Sequence, residues 1–123
     1  MPLERAADHP IHQLGNLSIT SFVAPARGGF ECALYRVDVP AGEGLPPHHH
    51  DHLDVFTVLT GGGRFYLGDD QCDMEAGDSM VVPIGVRHYL EAGPAGAELM
   101  VAMLAGTKMV RDDGSEAVPP WVS

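Results

Sequence analysis

Residues 48–54 read HHHDHLD, so four of the chain's seven histidines crowd into five positions beside two aspartates. Imidazoles and carboxylates at this density can hold a metal ion, form a pH-sensitive surface or make a solvated loop. Geometry narrows the choice. In an extended strand, residues two apart point the same way and lie about 6.6 Å apart. His48 and His50 can therefore aim their rings at one point. His52 and Asp54 share that parity if the strand is unbroken, whereas a bulge or turn within HDHL would change which of them follows. Pro46 and Pro47 stiffen the chain as it enters the cluster.

Two rings bind an ion weakly, so a second group of donors is needed. The stretch GDSMVVPIGVRH (77–88) can supply it. Gly77-Asp78 is a turn, Met80 to Val82 a short buried strand, Pro83 its end, and Gly85 permits a sharp corner. His88 opens the next strand, from which it could be handed back toward the first cluster.

The elements that must position these residues are short apolar runs rich in β-branched and aromatic side chains. They are residues 17–23, 30–39, 54–59, 64–68, 79–83, 88–92 and 97–104, separated by RGG, PAGEG, TGGG, GDD, AGD, PIG and AGPAG. Short strands at regular spacing with turn signals between them predict an all-β sandwich or barrel. The first fifteen residues are weakly patterned and read as an edge strand or an arm. The tail, 107–123, is polar until Trp121; VRDDGSE (110–116) reads as a solvated loop and Trp121 as an anchor on the body or on a partner subunit.

With 123 residues the chain suits one domain with one core. Seven Lys plus Arg against seventeen Asp plus Glu give a net charge of −10. That field repels phosphate backbones and argues against nucleic-acid binding. No apolar run approaches the roughly 18 residues of a membrane span, and the N-terminal stretch lacks a secretory signal, so the expected location is cytoplasmic. Cys32 and Cys72 form no CxxC pair and read as reduced thiols.

Taken together, the two histidine-bearing stretches resemble the cupin family. Gly42, His48, His50, Asp54 and Gly61 fall at the spacings of its first motif, with Asp54 in the place of a glutamate. Gly77, Pro83, Gly85 and His88 match the second, with Ala92 in the place of an asparagine. The similarity covers about residues 42–92, with fifteen residues between Gly61 and Gly77, as in short bacterial-type members. It implies a double-stranded β-helix, or jelly-roll barrel, as a single domain over 1–123, with its barrel over about 17–104 and a C-terminal tail over 105–123. It also implies one divalent transition metal (Fe, Mn, Ni, Zn or Cu) held by His48, His50, Asp54 and His88. Because Asp is one methylene shorter than Glu, Asp54 is expected to bind directly, through water, or by accepting from a ligand histidine. Coordination needs deprotonated rings, so affinity should fall below about pH 6.5.

His52 is the candidate to move a proton, or to serve as a reserve ligand. Phe56, Met80 and Val82 are candidates for the apolar wall of a substrate pocket, or else for the core. Arg36, Tyr66 and Tyr89 are candidate polar contacts, with plain strand exposure as the alternative. The resemblance implies an enzyme acting on a small oxygen-rich or enolisable substrate, with a dioxygenase ahead of an isomerase, lyase or cyclase. Its rival is a non-enzymatic module that binds or senses a small ligand. Exposed sheet edges and the Trp121 tail, as a strap exchanged between subunits, point to a homodimer.

Overall fold

The computed structural model describes residues 3–29 and 31–123. Phe30, which opens the second apolar run, lies outside the described residues, as do Met1 and Pro2. Among the described residues the chain forms ten strands: β1 (Ile11–Leu14), β2 (Leu17–Val23), β3 (Cys32–Val39), β4 (His48–His50), β5 (Asp54–Leu67), β6 (Asp70–Glu75), β7 (Ser79–Val82), β8 (His88–Leu104), β9 (Met109–Arg111) and β10 (Glu116–Ala117). Single 3-10 turns occupy Ala6–Asp8, Pro25–Arg27 and Pro120–Val122.

Every strand pairing is antiparallel, and the two longest strands each serve two sheets. One sheet runs β1-β2-β3, then the C-terminal half of β8, the N-terminal half of β5, and β7. The other runs β10-β9-β4, then the N-terminal half of β8, the C-terminal half of β5, and β6. The sheets face each other across a core that includes Ile19, Val37, Val58, Phe65, Leu90 and Leu99. Alternation along β3 shows how the pattern builds this: Ala33, Tyr35, Val37 and Val39 are buried while their neighbours are not. This is the jelly-roll architecture.

Two turn readings are corrected. TGGG and AGPAG do not end strands; they lie inside β5 and β8, where the register shifts between Val58 and Thr60 and between Gly61 and Gly63. These are bulges, which bend a strand without ending its pairing. Gly61 has φ +68°, and a Cβ there would run into the carbonyl of Gly96 across the bend. Glycine is read as turn punctuation in a linear scan, but here it permits two backbones to approach where the sheet folds over.

The boundaries also move outward. β1 is an edge strand on β2, as one of the two readings held. The segment read as a tail supplies β9, which pairs with β4 through His48↔Arg111, His49↔Val110 and His50↔Met109. Only its middle is the expected exposed turn, at Asp112–Ser115. Trp121 and Val122 are buried. The ring of Trp121 lies 6.4 Å from Tyr35 and 6.0 Å from His12, and the Ser123 carbonyl accepts from the N–H of Ala26. Trp121 therefore packs against its own chain, so the anchor falls on the body of the barrel.

Candidate metal centre

His48 and His50 share one face of β4 and are buried, while His49 between them is half-buried on the other. His88 opens β8 directly opposite His48. The corner that delivers it is built as its residues suggest: Gly85 adopts φ +77°, and its N–H donates to the carbonyl of His50 at 2.9 Å. One hydrogen bond thus ties the second histidine-bearing stretch to the first.

The result is a triad. Ring centroids are separated by 4.7 Å (His48–His50), 4.4 Å (His48–His88) and 5.1 Å (His50–His88). Donor atoms of the three residues all lie within 4.8 Å of one another. In each ring Nδ1 meets a backbone carbonyl: Pro46 at 2.6 Å for His48, Lys108 at 3.3 Å for His50 and Val86 at 2.9 Å for His88. A carbonyl can only accept, so each Nδ1 carries the proton and each Nε2 lone pair is free. Carbonyl partners of this kind orient metal-binding histidines. Burial lowers all three to a pKa of about 4, reinforced by the neighbouring imidazole: His50 beside His48, His88 beside His50, His48 beside His88. The rings are neutral near pH 7, as coordination requires.

Asp54 opens β5, is 5 % exposed, and its Oδ1 has no hydrogen-bond partner among the described residues. Burial pushes its carboxyl up to about 7. It lines the same cavity as the triad, yet it is not one of the groups whose donor atoms lie mutually within 4.8 Å. Tyr35, from β3, lines the cavity too; burial first, then the charge of Asp54, holds its hydroxyl above the ordinary phenol range.

His52 does not follow its neighbours inward. Asp51 and His52 form a bend, which breaks the alternation. The His52 side chain is 42 % exposed, bonds Asp51 at 2.9 Å and is absent from the cavity wall. Of the three apolar candidates, Phe56 lines the cavity. Val82 is wholly buried in the core and Met80 packs partly buried against it, both away from the cavity wall. Arg36 pairs with Asp38 and Glu98 on the outer face of its sheet. Tyr66 and Tyr89 stack on each other at 4.4 Å, with Arg87 beside Tyr89. Cys32 and Cys72 are free and exposed.

Sequence reasoning missed most of the wall. Tyr35, Leu45, Phe65, Leu90, Met109 and Trp121 all face the cavity. The alternation in β3 marks Tyr35 rather than Arg36 as the inward residue. Nothing local marks Met109 or Trp121, because their position depends on how the chain after β8 returns.

A jelly roll that gathers three neutral imidazoles in a buried cavity defines a metal-competent β container. The chain belongs to the cupin family: the Cupin domain model matches residues 35–105, more than half of the sequence. No curated protein sequence matches. Among solved structures, an RmlC-like cupin from Shewanella frigidimarina NCIMB 400 is 22 % identical with a TM-score of 0.71, covering 81 % of this chain and 86 % of that one. The polyketide cyclase RemF from Streptomyces resistomycificus is 18 % identical with a TM-score of 0.71, covering 84 % and 80 %. The oxalate decarboxylase OxdC of Bacillus subtilis is 18 % identical with a TM-score of 0.72, covering 78 % of this chain but only 27 % of its own. These likenesses establish the fold. Among the described residues, no helix is long and apolar enough to cross a membrane.

Proposed function

We propose that this chain is an enzyme that holds one divalent transition metal on His48, His50 and His88 and converts a small enolisable or oxygen-bearing substrate. The observation that carries the reading is the shared orientation of the rings. All three Nδ1 atoms are held by backbone carbonyls, which leaves three Nε2 lone pairs in one buried space. Neutral imidazoles suit Fe, Mn, Ni, Zn or Cu, and three protein donors leave coordination positions for small molecules. A bound ion supplies a Lewis acid that polarises an enol, diketone or diol oxygen.

The protein's own part is positioning and exclusion of water. The walls contributed by Phe56, Phe65, Leu90 and Leu99 keep the polar groups in a low-dielectric setting, where their electrostatic effects are strong. Among the described residues Asp54 is the one acid on the wall, and it takes over the proton-handling role first offered to His52, which is exposed and off that wall. Oxygenation is the first reaction to assay, before isomerisation, elimination and cyclisation. Two of the proteins that share the fold, OxdC and RemF, are named as enzymes, which supports an enzyme over a passive binder. The exposed free thiols suit a reducing compartment such as the cytoplasm.

A homodimer is part of this reading. Val23, Leu34, Ala102, Val55 and Val81 pair in one cross-strand row over the outer face of the first sheet, and Val81 is 55 % exposed. A monomeric mass in solution would remove it.

Elemental analysis of the purified protein tests the central claim. Wild type should carry or take up about one equivalent of a first-row metal, and His50→Ala should lose it. A folded wild type that refuses all five metals defeats the reading. Ligand bound without turnover, with metal and oxygen both supplied, would make the chain a binding module.

A further inference from the structure

The cavity around the triad has a lopsided chemistry. The cavity proper measures about 50 Å³, and the depression together with its solvent-filled mouth spans about 650 Å³. The cavity proper is small beside the roughly 150 Å³ of a cavity that holds benzene, so only a compact body fits within. Apart from the three imidazoles, the polar groups on its wall among the described residues are the Asp54 carboxyl, the Tyr35 hydroxyl and the Trp121 indole N–H; the rest is hydrocarbon, thioether or aromatic, such as Ile19, Val37, Leu99, Val101 and Met103. A sugar or a dicarboxylate would bury more oxygens than these few groups can pair, and each left over is costly. A hydrocarbon body would gain from the same surface.

One wall group is left wanting. Asp54 Oδ1 is buried without a hydrogen-bond partner, in a side chain that is 95 % withdrawn from solvent. Such atoms are rare because they are expensive. Among the described residues, the donors that meet within 4.8 Å are the imidazoles alone. Asp54, which opens β5, is not among them. Whether ionised or protonated, a carboxyl keeps at least one oxygen able to accept.

On the reading that the imidazoles hold an ion, we infer that Asp54 serves the ligand and not the ion. The ligand is a compact chelator with a hydrocarbon body that presents one N–H or O–H to Asp54. This narrows the substrate class away from sugars and small dicarboxylates. Specificity of this kind is strong because a ligand lacking the donor leaves the buried acceptor unpaired.

The test uses the full chain loaded with Co(II), whose visible spectrum reports coordination. Three probes are titrated in: acetohydroxamate, N-methylacetohydroxamate, which lacks the N–H, and oxalate. Asp54→Leu should keep one equivalent of cobalt with an unchanged resting spectrum. Wild type should bind acetohydroxamate about tenfold or more tighter than its N-methyl analogue, and this gap should close in Asp54→Leu. Oxalate should bind more weakly than acetohydroxamate. Should Asp54→Leu fail to fold, Asp54→Asn, which keeps an acceptor, should retain both the cobalt and the discrimination. Loss of cobalt or a shifted resting spectrum in the folded Asp54 variant makes it a ligand and overturns the inference. Equal binding of the two hydroxamates by wild type, or oxalate binding as tightly, overturns it as well. A wild type that takes up no cobalt is seen before any probe is added, and then it is the metal reading that has failed.

Discussion

Asp51 and Lys108, fifty-seven positions apart, are joined by a hydrogen bond of 2.8 Å from the Lys108 N–H to Asp51 Oδ1. The carbonyl of that same Lys108 receives Nδ1–H of His50. Asp51 therefore acts on the triad through the backbone of the segment leading into β9. Its carboxyl is held below the usual range, chiefly by the Lys108 N–H and then by His52. Asp51→Ala should weaken metal affinity about tenfold or more, the scale for partners that orient ligands. Asp51→Asn, which can still accept from Lys108, should restore most of it. Competition against a chelator of known affinity measures both, and a general loss of structure would not be rescued by Asn.

His52→Ala is expected to leave metal content and turnover within about twofold of wild type, since surface substitutions away from special features change little. Its ring sits outside the cavity, and Asp51 keeps the Lys108 bond without it. A tenfold fall in turnover with full metal would return His52 to the mechanism.

The acid behaviour of the metal-free protein follows from the buried rings. Each triad imidazole falls from 6.5 to about 4 on folding. Between those values the unfolded chain takes up protons that the folded chain refuses, so stability declines as pH drops from 6.5 toward 4. Asp54, raised from 3.8 to about 7, acts in the opposite sense: it binds a proton in the folded state and loses stability as pH rises through 7. Three rings outweigh one carboxyl in the shared window. The thermal midpoint of chelator-treated protein should therefore fall on acidification from pH 6.5 to 4, and the fall should be shallower in His50→Gln. The same depressed values move the acid limit of metal binding below the pH 6.5 expected for free histidines.

Trp121→Ala should cost about 3 kcal/mol, as large-to-small changes of buried aromatics do, and should enlarge the cavity that Trp121 lines. Urea denaturation reads the first effect. The second should appear as tighter binding of a bulkier hydroxamate.

Gly61→Ala places a methyl group against the Gly96 carbonyl at a positive φ. Both the clash and the backbone conformation oppose it, so it should destabilise far more than Gly77→Ala, where a Cβ meets open space. Comparing their denaturation midpoints separates the two contributions, since Gly77 also has a positive φ.

Much of the triad was legible because its logic is local. Alternation puts His48 and His50 on one face, and Pro83 with Gly85 makes a corner. What could not be read was anything set by the curl of the sheets. TGGG looks like a turn in a linear chain, but the same glycines let β5 stay paired with β8 at close approach through the bend. Tyr35 carries a mark that a search for polar contacts passes over: it shares the parity of Ala33, Val37 and Val39, whereas Arg36 shares that of Asp38 on the outer face. Met109 and Trp121 reach the cavity because β9 returns to β4, a pairing between distant segments with no mark in either. For His52 the sequence left two outcomes open, an unbroken strand or a turn within HDHL, and the bend at Asp51 and His52 decides for the second. Asp54 stands at the acidic position of a spacing pattern, yet its carboxyl is not among the donors that meet within 4.8 Å.

β5 and β8 run unbroken through both sheets, so neither sheet can open while the other stays shut. In amide hydrogen exchange such a pair behaves as one cooperative unit. The inner amides of residues 54–58 and 99–103 would exchange with those of residues 63–67 and 88–92, at a common rate set by global unfolding. The floor beneath the histidines is thus as firm as the whole molecule, and motion that admits a ligand falls to the short strands and the C-terminal turn around it.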